Sequence, residues 1–186
     1  GLDALSTLFS SLPADNGMGF VVIQHLAPDR ESLVPELLAR KTALPIHVAV
    51  DETLVEPNQI YIIPPNAQLT IEGGFLRVAR PSQVHGLRTP IDTFFHSLAD
   101  DQGPFAIGMI LSGAGSDGAV GLRAVKEQGG LTIAQSAETA QFASMPNSAI
   151  STGMIDHILP VEDIAQVLIQ YAKYLYDLRD GKGLDT

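Results

Sequence analysis

Three glycines and one acid crowd the segment Ser112-Gly113-Ala114-Gly115-Ser116-Asp117-Gly118. Before it, residues 105–111 form an apolar run fit for a buried strand; after it, residues 119–127 have helical period. So tight a turn needs glycine, which takes positive φ cheaply and lets other groups approach the backbone. An aspartate at the carboxyl end of a strand stands where open α/β sheets keep their chemistry. Three chemistries fit it. Gly113-x-Gly115-x-x-Gly118, with Glu138 about 20 residues on, matches the dinucleotide fingerprint, although Asp117 would then press a carboxylate toward the pyrophosphate. Alternatively, Asp117 orients a catalytic histidine, or it only caps the helix that follows.

A histidine suited to such a partner stands in Val22-Ile23-Gln24-His25-Leu26. His25 ends the apolar run 19–24, which reads as a buried parallel strand. Two strand ends, one with an imidazole and one with a carboxylate, come into hydrogen-bond range when the strands are neighbours in a parallel sheet. The other histidines have weaker positions. His96 falls within a helical stretch, His157 beside the last strand, His85 in a Gly/Pro-flanked loop, and His47 in a short strand. No pair of them has the spacing of zinc ligands, so no metal site is expected.

The elements that must hold His25 and Asp117 alternate along the chain. Leu2, Leu5, Phe9 and Leu12 recur at helical spacing and end at Pro13. A second helix is expected over 30–41, with Leu33, Leu37 and Leu38 facing inward. Short strands follow at 46–50 and 59–63, and residues 68–79 alternate around Glu72-Gly73-Gly74 as a hairpin. Residues 89–99 form a helix with Pro90 in its tolerant first turn. Beyond the glycine-rich loop come a helix at 119–128, a strand at 131–135, a helix or turn through Ala149, a strand at 155–159, and a last helix from Val161 to about Asp180. This order predicts an α/β fold, doubly wound, with a mostly parallel sheet, helices on both faces and an antiparallel hairpin annex.

Composition narrows the function. A chain of 186 residues with 45% hydrophobic content makes one domain with a sizeable core. It has no cysteine, which removes disulfides, thiolate metal sites and a cysteine nucleophile. The net charge of −10 repels phosphate backbones and argues against nucleic acid as a partner. No apolar run is long enough to insert in a membrane. A doubly wound domain ordinarily opens on a strand, whereas this chain opens on a helix preceded by Gly1. A strand and a strand-to-helix turn are therefore expected ahead of Gly1.

These residues resemble the catalytic domain of the chemotaxis receptor methylesterases, the CheB family. Gly1-Leu2-Asp3-Ala4-Leu5 resembles the segment just after that family's S-(A/T)-G-G nucleophile turn, and Val22 to Leu26 its histidine strand. Ile60-Tyr61-Ile62-Ile63-Pro64-Pro65 is similar to its Y-(I/V)-(I/A)-P-P segment, and Pro90-Ile91-Asp92 to its P-(S/I)-(I/V)-D helix start. Residues 111–118 resemble its (L/T)-(S/T)-G-x-G-x-D-G loop, and Ala134-Gln135 with Met145-Pro146 its later A-Q…G-M-P block. Ser112 and Ala114 resemble the variants found in members fused to methyltransferase and sensory domains.

The resemblance implies a methylesterase-like catalytic domain over 1–180, lacking its first strand and nucleophile turn, and a polar tail or linker over 181–186. It implies hydrolysis of glutamate methyl esters on the cytoplasmic helices of methyl-accepting chemoreceptors, with glutamine deamidation in some members. His25 would be the general base and Asp117 the residue that orients it. The nucleophilic serine would lie three positions before Gly1, outside this sequence. Ala114 would offer its backbone N–H to the oxyanion, with Gly113 and Gly115 shaping the loop, and the first helix's amides would assist. No metal or cofactor is implied, the compartment is the cytoplasm, and a receiver or methyltransferase domain is the expected covalent companion. Two other classes stay open: a receptor-binding module without a nucleophile, and a nucleotide-binding α/β domain.

Overall fold

The computed structural model describes residues 2–25, 32–80 and 88–181. Two three-stranded parallel sheets carry the molecule. In the first, β4 (Ile60–Ile62) lies between β1 (Phe20–Val22) and β2 (Ile46–Val48). In the second, β8 (Leu131–Gln135) lies between β7 (Ile107–Ile110) and β9 (His157–Leu159). The annex is antiparallel, with β6 (Phe75–Ala79) between β3 (Thr53–Leu54) and β5 (Gln68–Glu72).

Strand alternation sends neighbouring side chains to opposite faces, and both faces are covered. Ile60 and Ile62 join a core built by α1 (Leu2–Ser10), α2 (Val34–Ala39) and α6 (Val161–Arg179), through Leu8, Phe9, Leu38, Ile164 and Leu168. Tyr61 and Ile63 point the other way, toward the annex and Phe94 of α3 (Pro90–Gln102). Beyond β7, Ile110 packs with α3, α4 (Ala119–Glu127) and α5 (Ser144–Ile150) through Phe95, Leu122, Val125 and Ala149. The expected α/β architecture with its hairpin annex is the one found.

Some boundaries differ from expectation. The second helix spans only Val34–Ala39, so Leu33 precedes its first turn. Leu33 and Leu37 are exposed and only Leu38 is buried, because six residues present too short a stripe to bury three leucines. The third helix runs three residues further than expected, to Gln102. His85 lies outside the described residues, as does the tail beyond Gly181.

Among the described residues β1 bonds only to β4 and β7 only to β8, so each of these two strands leaves one edge open. Residues 19–25, 105–107 and 109–114 line a common cavity of about 860 Å³, together with Leu5 and Phe9 of α1, Phe95 of α3 and Leu168 of α6. The cavity thus runs along both strands, and its carboxyl end is where His25 and the glycine-rich loop meet.

A carboxylate fastens the annex's hairpin turn to α3. Asp101 accepts from the Gly73 N–H at 2.5 Å, the Gly74 N–H at 3.0 Å and the Gln102 amide at 2.8 Å. Burial pushes its carboxyl up, but these donors outweigh burial and hold it below the ordinary range. A depressed folded pKa means that the stabilisation is present above the unfolded pKa and disappears as pH falls through the folded one. Asp101→Ala should therefore cost on the order of 1 kcal/mol at neutral pH, after allowance for solvent screening. Thermal melts against pH should show the difference from the parent shrinking in acid.

Candidate active site

His25 Nε2 lies 2.8 Å from Asp117 Oδ2. The two residues are 92 positions apart: His25 lines the cavity just beyond β1, and Asp117 lies in the loop between β7 and α4. The imidazole is 44% exposed, whereas the carboxylate is 6% exposed. A buried carboxylate must be well bonded, and Asp117 is. Oδ2 also accepts from the Ile91 N–H at 2.9 Å, and Oδ1 from the Asp92 N–H at 2.9 Å. Those amides are in the first turn of α3, where the helix dipole favours an anion. Asp117 does act as a cap, but of α3, not of the helix that follows it. On α4 the N-cap residue is Gly118, with no side-chain cap bond of its own.

The carboxylate can only accept, so Nε2 carries the proton and Nδ1 is the nitrogen left with a lone pair. The familiar Ser-His-Asp arrangement has the acid on Nδ1; here the acid stands on Nε2.

Glycine is required where α4 begins. Gly118 has φ +105°, and a Cβ there would stand 2.4 Å from Ile110 Cδ1 and 2.9 Å from Ile91 Cγ2. One turn on, a Cβ at Gly121 would stand 2.6 Å from Phe95 Cβ and 2.9 Å from the Asp92 backbone. The helices α3 and α4 therefore touch backbone to backbone at their N-termini. Asp92 Oδ1 uses that contact, accepting from the Gly118 N–H at 3.0 Å and the Gly121 N–H at 2.7 Å. Because Asp92 already occupies amides at this helix start, they cannot cradle a pyrophosphate, and the dinucleotide alternative loses its anion site.

The loop before Asp117 is laced to residues 142–145. Gly113 N–H donates to the Phe142 carbonyl at 3.0 Å, Met145 N–H to the Gly113 carbonyl at 3.1 Å, and Gly115 N–H to Ser144 Oγ at 3.0 Å. Ser112 N–H donates to buried Gln135 Oε1 at 2.9 Å, and Ser112 Oγ accepts from the Phe142 N–H at 2.9 Å. Gly113 and Gly115 thus have committed amides. The Ala114 N–H has no partner among the described residues, and Ala114 lines the cavity.

Sequence reasoning singled out His25 and Asp117, and the structure brings them together. The remaining described histidines stand apart from this pair. His47 bonds Gln59 and stacks on Tyr61, and His96 and His157 are exposed. Among the described residues no group of three His, Cys, Asp or Glu side chains is arranged to hold a metal.

The family model described as CheB methylesterase matches residues 1–168. The chain belongs to the CheB methylesterase family. The crystal structure of the Thermotoga maritima CheB methylesterase catalytic domain superposes with a TM-score of 0.83 at 30% identity, covering 92% of this chain and 93% of that one. A putative protein-glutamate methylesterase/protein-glutamine glutaminase of Leptospira interrogans is 33% identical over 171 residues, 91% of this chain and 89% of the relative. Protein-glutamate methylesterase/protein-glutamine glutaminase 2 of Pseudomonas aeruginosa is 34% identical over 176 residues, 92% of this chain and 50% of the relative. An uncharacterized 104.1 kDa protein of Rhodobacter capsulatus is 43% identical over 135 residues, which is 73% of this chain and only 14% of that protein. The chain thus spans most of the Leptospira relative, half of the Pseudomonas one and a small part of the Rhodobacter protein.

The tautomer is directly measurable. Long-range proton–nitrogen correlation spectra of the neutral imidazole should show His25 protonated at Nε2, and Asp117→Ala should give averaged signals from two exchanging tautomers. A proton resident on Nδ1 in the parent chain would contradict the arrangement.

Proposed function

We propose that this chain is the hydrolytic domain of a protein-glutamate methylesterase. It cleaves glutamate methyl esters, and also deamidates glutamines, on the cytoplasmic helices of chemoreceptors. The observation that carries this reading is the His25–Asp117 bond at the carboxyl end of the cavity. The family of the chain and the names of its relatives support it.

The nucleophile in this reading is a serine outside residues 1–186, on a strand seated between β1 and β7 and turning into α1. The two open parallel edges along the cavity suit such a strand, since each offers unpaired backbone groups to it. Its carboxyl end would deliver the serine beside His25. His25 Nδ1 removes the serine proton as Oγ attacks the ester carbonyl, and Asp117 steadies the imidazolium. The Ala114 N–H and the amides opening α1 stabilise the oxyanion. The proton passes from His25 to the departing methoxide, which leaves as methanol. Water, deprotonated by the same imidazole, then releases the glutamate carboxylate and restores the serine. No step calls for a metal or cofactor.

In this reading the protein works in the cytoplasm, with a receiver or methyltransferase domain joined to it. The small share of the Rhodobacter protein that the chain spans supports such a fusion. Among the described residues no helix is long and apolar enough to cross a membrane.

The test is methanol release from methylated receptor fragments by the domain carrying its upstream segment. His25→Ala should abolish most of the activity, and Asp117→Asn should lower kcat by roughly 10³–10⁴-fold with the fold intact. Full activity in Asp117→Asn would reduce Asp117 to a capping residue. Receptor binding without any methanol release would favour the module that lacks a nucleophile.

A further inference from the structure

We propose that Asp92 is a positioning residue for the His25–Asp117 pair, holding the Asp117 turn in place through the N-terminus of α4. The proposal deepens the esterase reading and rests on it only for its kinetic half.

The two aspartates exchange caps. Asp117 accepts from the Ile91 and Asp92 N–H groups that open α3, while Asp92 Oδ1 accepts from the Gly118 and Gly121 N–H groups that open α4. Asp92 thereby grips the residue immediately after Asp117. It also offers its own N–H to Asp117 Oδ1, so one residue fixes the Asp117 backbone through its side chain and the Asp117 carboxylate through its backbone. This leaves Asp117 Oδ2 aimed at His25 with little freedom to turn.

The arrangement has an electrostatic cost. Burial pushes the Asp92 carboxyl above its ordinary range, the Gly121 N–H pulls it back, and the charge of Asp117 pushes it up again. A cap placed for stability alone would do better farther from a second carboxylate. Both bonds from α4 end on the same oxygen of Asp92, so an asparagine of the same shape can accept them without the charge. A glutamate keeps the charge but moves the acceptor one bond further out, against a helix contact with no spare room. Geometry and charge are therefore separable at this position.

Asp92→Asn, Asp92→Glu and Asp92→Ala should be compared by two readouts, each well below the melting temperature of the variant. In this chain, the His25 nitrogen spectra should keep the Nε2-protonated tautomer in Asn and lose it to averaging in Glu and Ala. In the domain with its upstream segment, Glu and Ala should lose about 10–100-fold in kcat with KM nearly unchanged, while Asn stays near the parent. Parent-like spectra and kcat in Glu, in Ala or in all three variants would overturn the proposal. So would a loss in Asn that Glu escapes, since charge and not position would then be the contribution. Should Ala fail to fold, the order of Asn and Glu decides alone. A parent domain that releases no methanol would fail the esterase reading, and the tautomer spectra would still judge Asp92.

Discussion

The site depends on an exchange of carboxylates between two helix starts. The first turns of α3 and α4 meet backbone to backbone because Gly118 and Gly121 carry no Cβ, and each start is capped by an acid from the other side of the contact. A cap of this kind is worth about 0.5–2 kcal/mol, and the helix dipole adds to it for an anion. The larger consequence is geometric. Asp117 is buried and accepts from two backbone amides of α3, one on each oxygen, so its carboxylate is held independently of His25. The imidazole is held at one nitrogen and half-exposed at the rest of the ring.

His25 and Asp117 also join the two halves of the molecule. One follows β1 of the first parallel sheet, the other follows β7 of the second, and the cavity separates those strands along their length. The His25–Asp117 bond lies at the mouth of that cavity, where His25 lines the wall beside Gly113 and Ala114. The Phe142–Met145 segment completes the mouth by bonding Gly113 and Gly115, which leaves the Ala114 amide directed to no protein acceptor among the described residues.

Much of this was legible in the sequence for a simple reason. His25 and Asp117 each follow a short apolar run, and the ends of such runs are where parallel sheets gather polar groups. The hairpin was equally legible, since Glu72-Gly73-Gly74 interrupts a clean alternation. Long-range pairing was not. Nothing local in Phe20–Val22 says that β4 is its partner while β7 is not hydrogen-bonded to it. The two-residue strand Thr53–Leu54 is too short to carry a period, and Leu33 and Leu37 fit a helical stripe that the short α2 does not form. Asp92 reads locally as an ordinary acid in a helix's first turn. Its grip on α4 comes from a tertiary crossing, and the only local trace of that crossing is the spacing of Gly118 and Gly121.

The central claim is that His25 and Asp117 act as one unit on an ester. A double-mutant cycle measures this most directly, using kcat for methanol release by the domain with its upstream segment. If the aspartate works only through the histidine, His25→Ala/Asp117→Ala should be no slower than His25→Ala alone, a strongly non-additive result. Losses that multiply would mean that the two residues contribute independently, and would contradict the account.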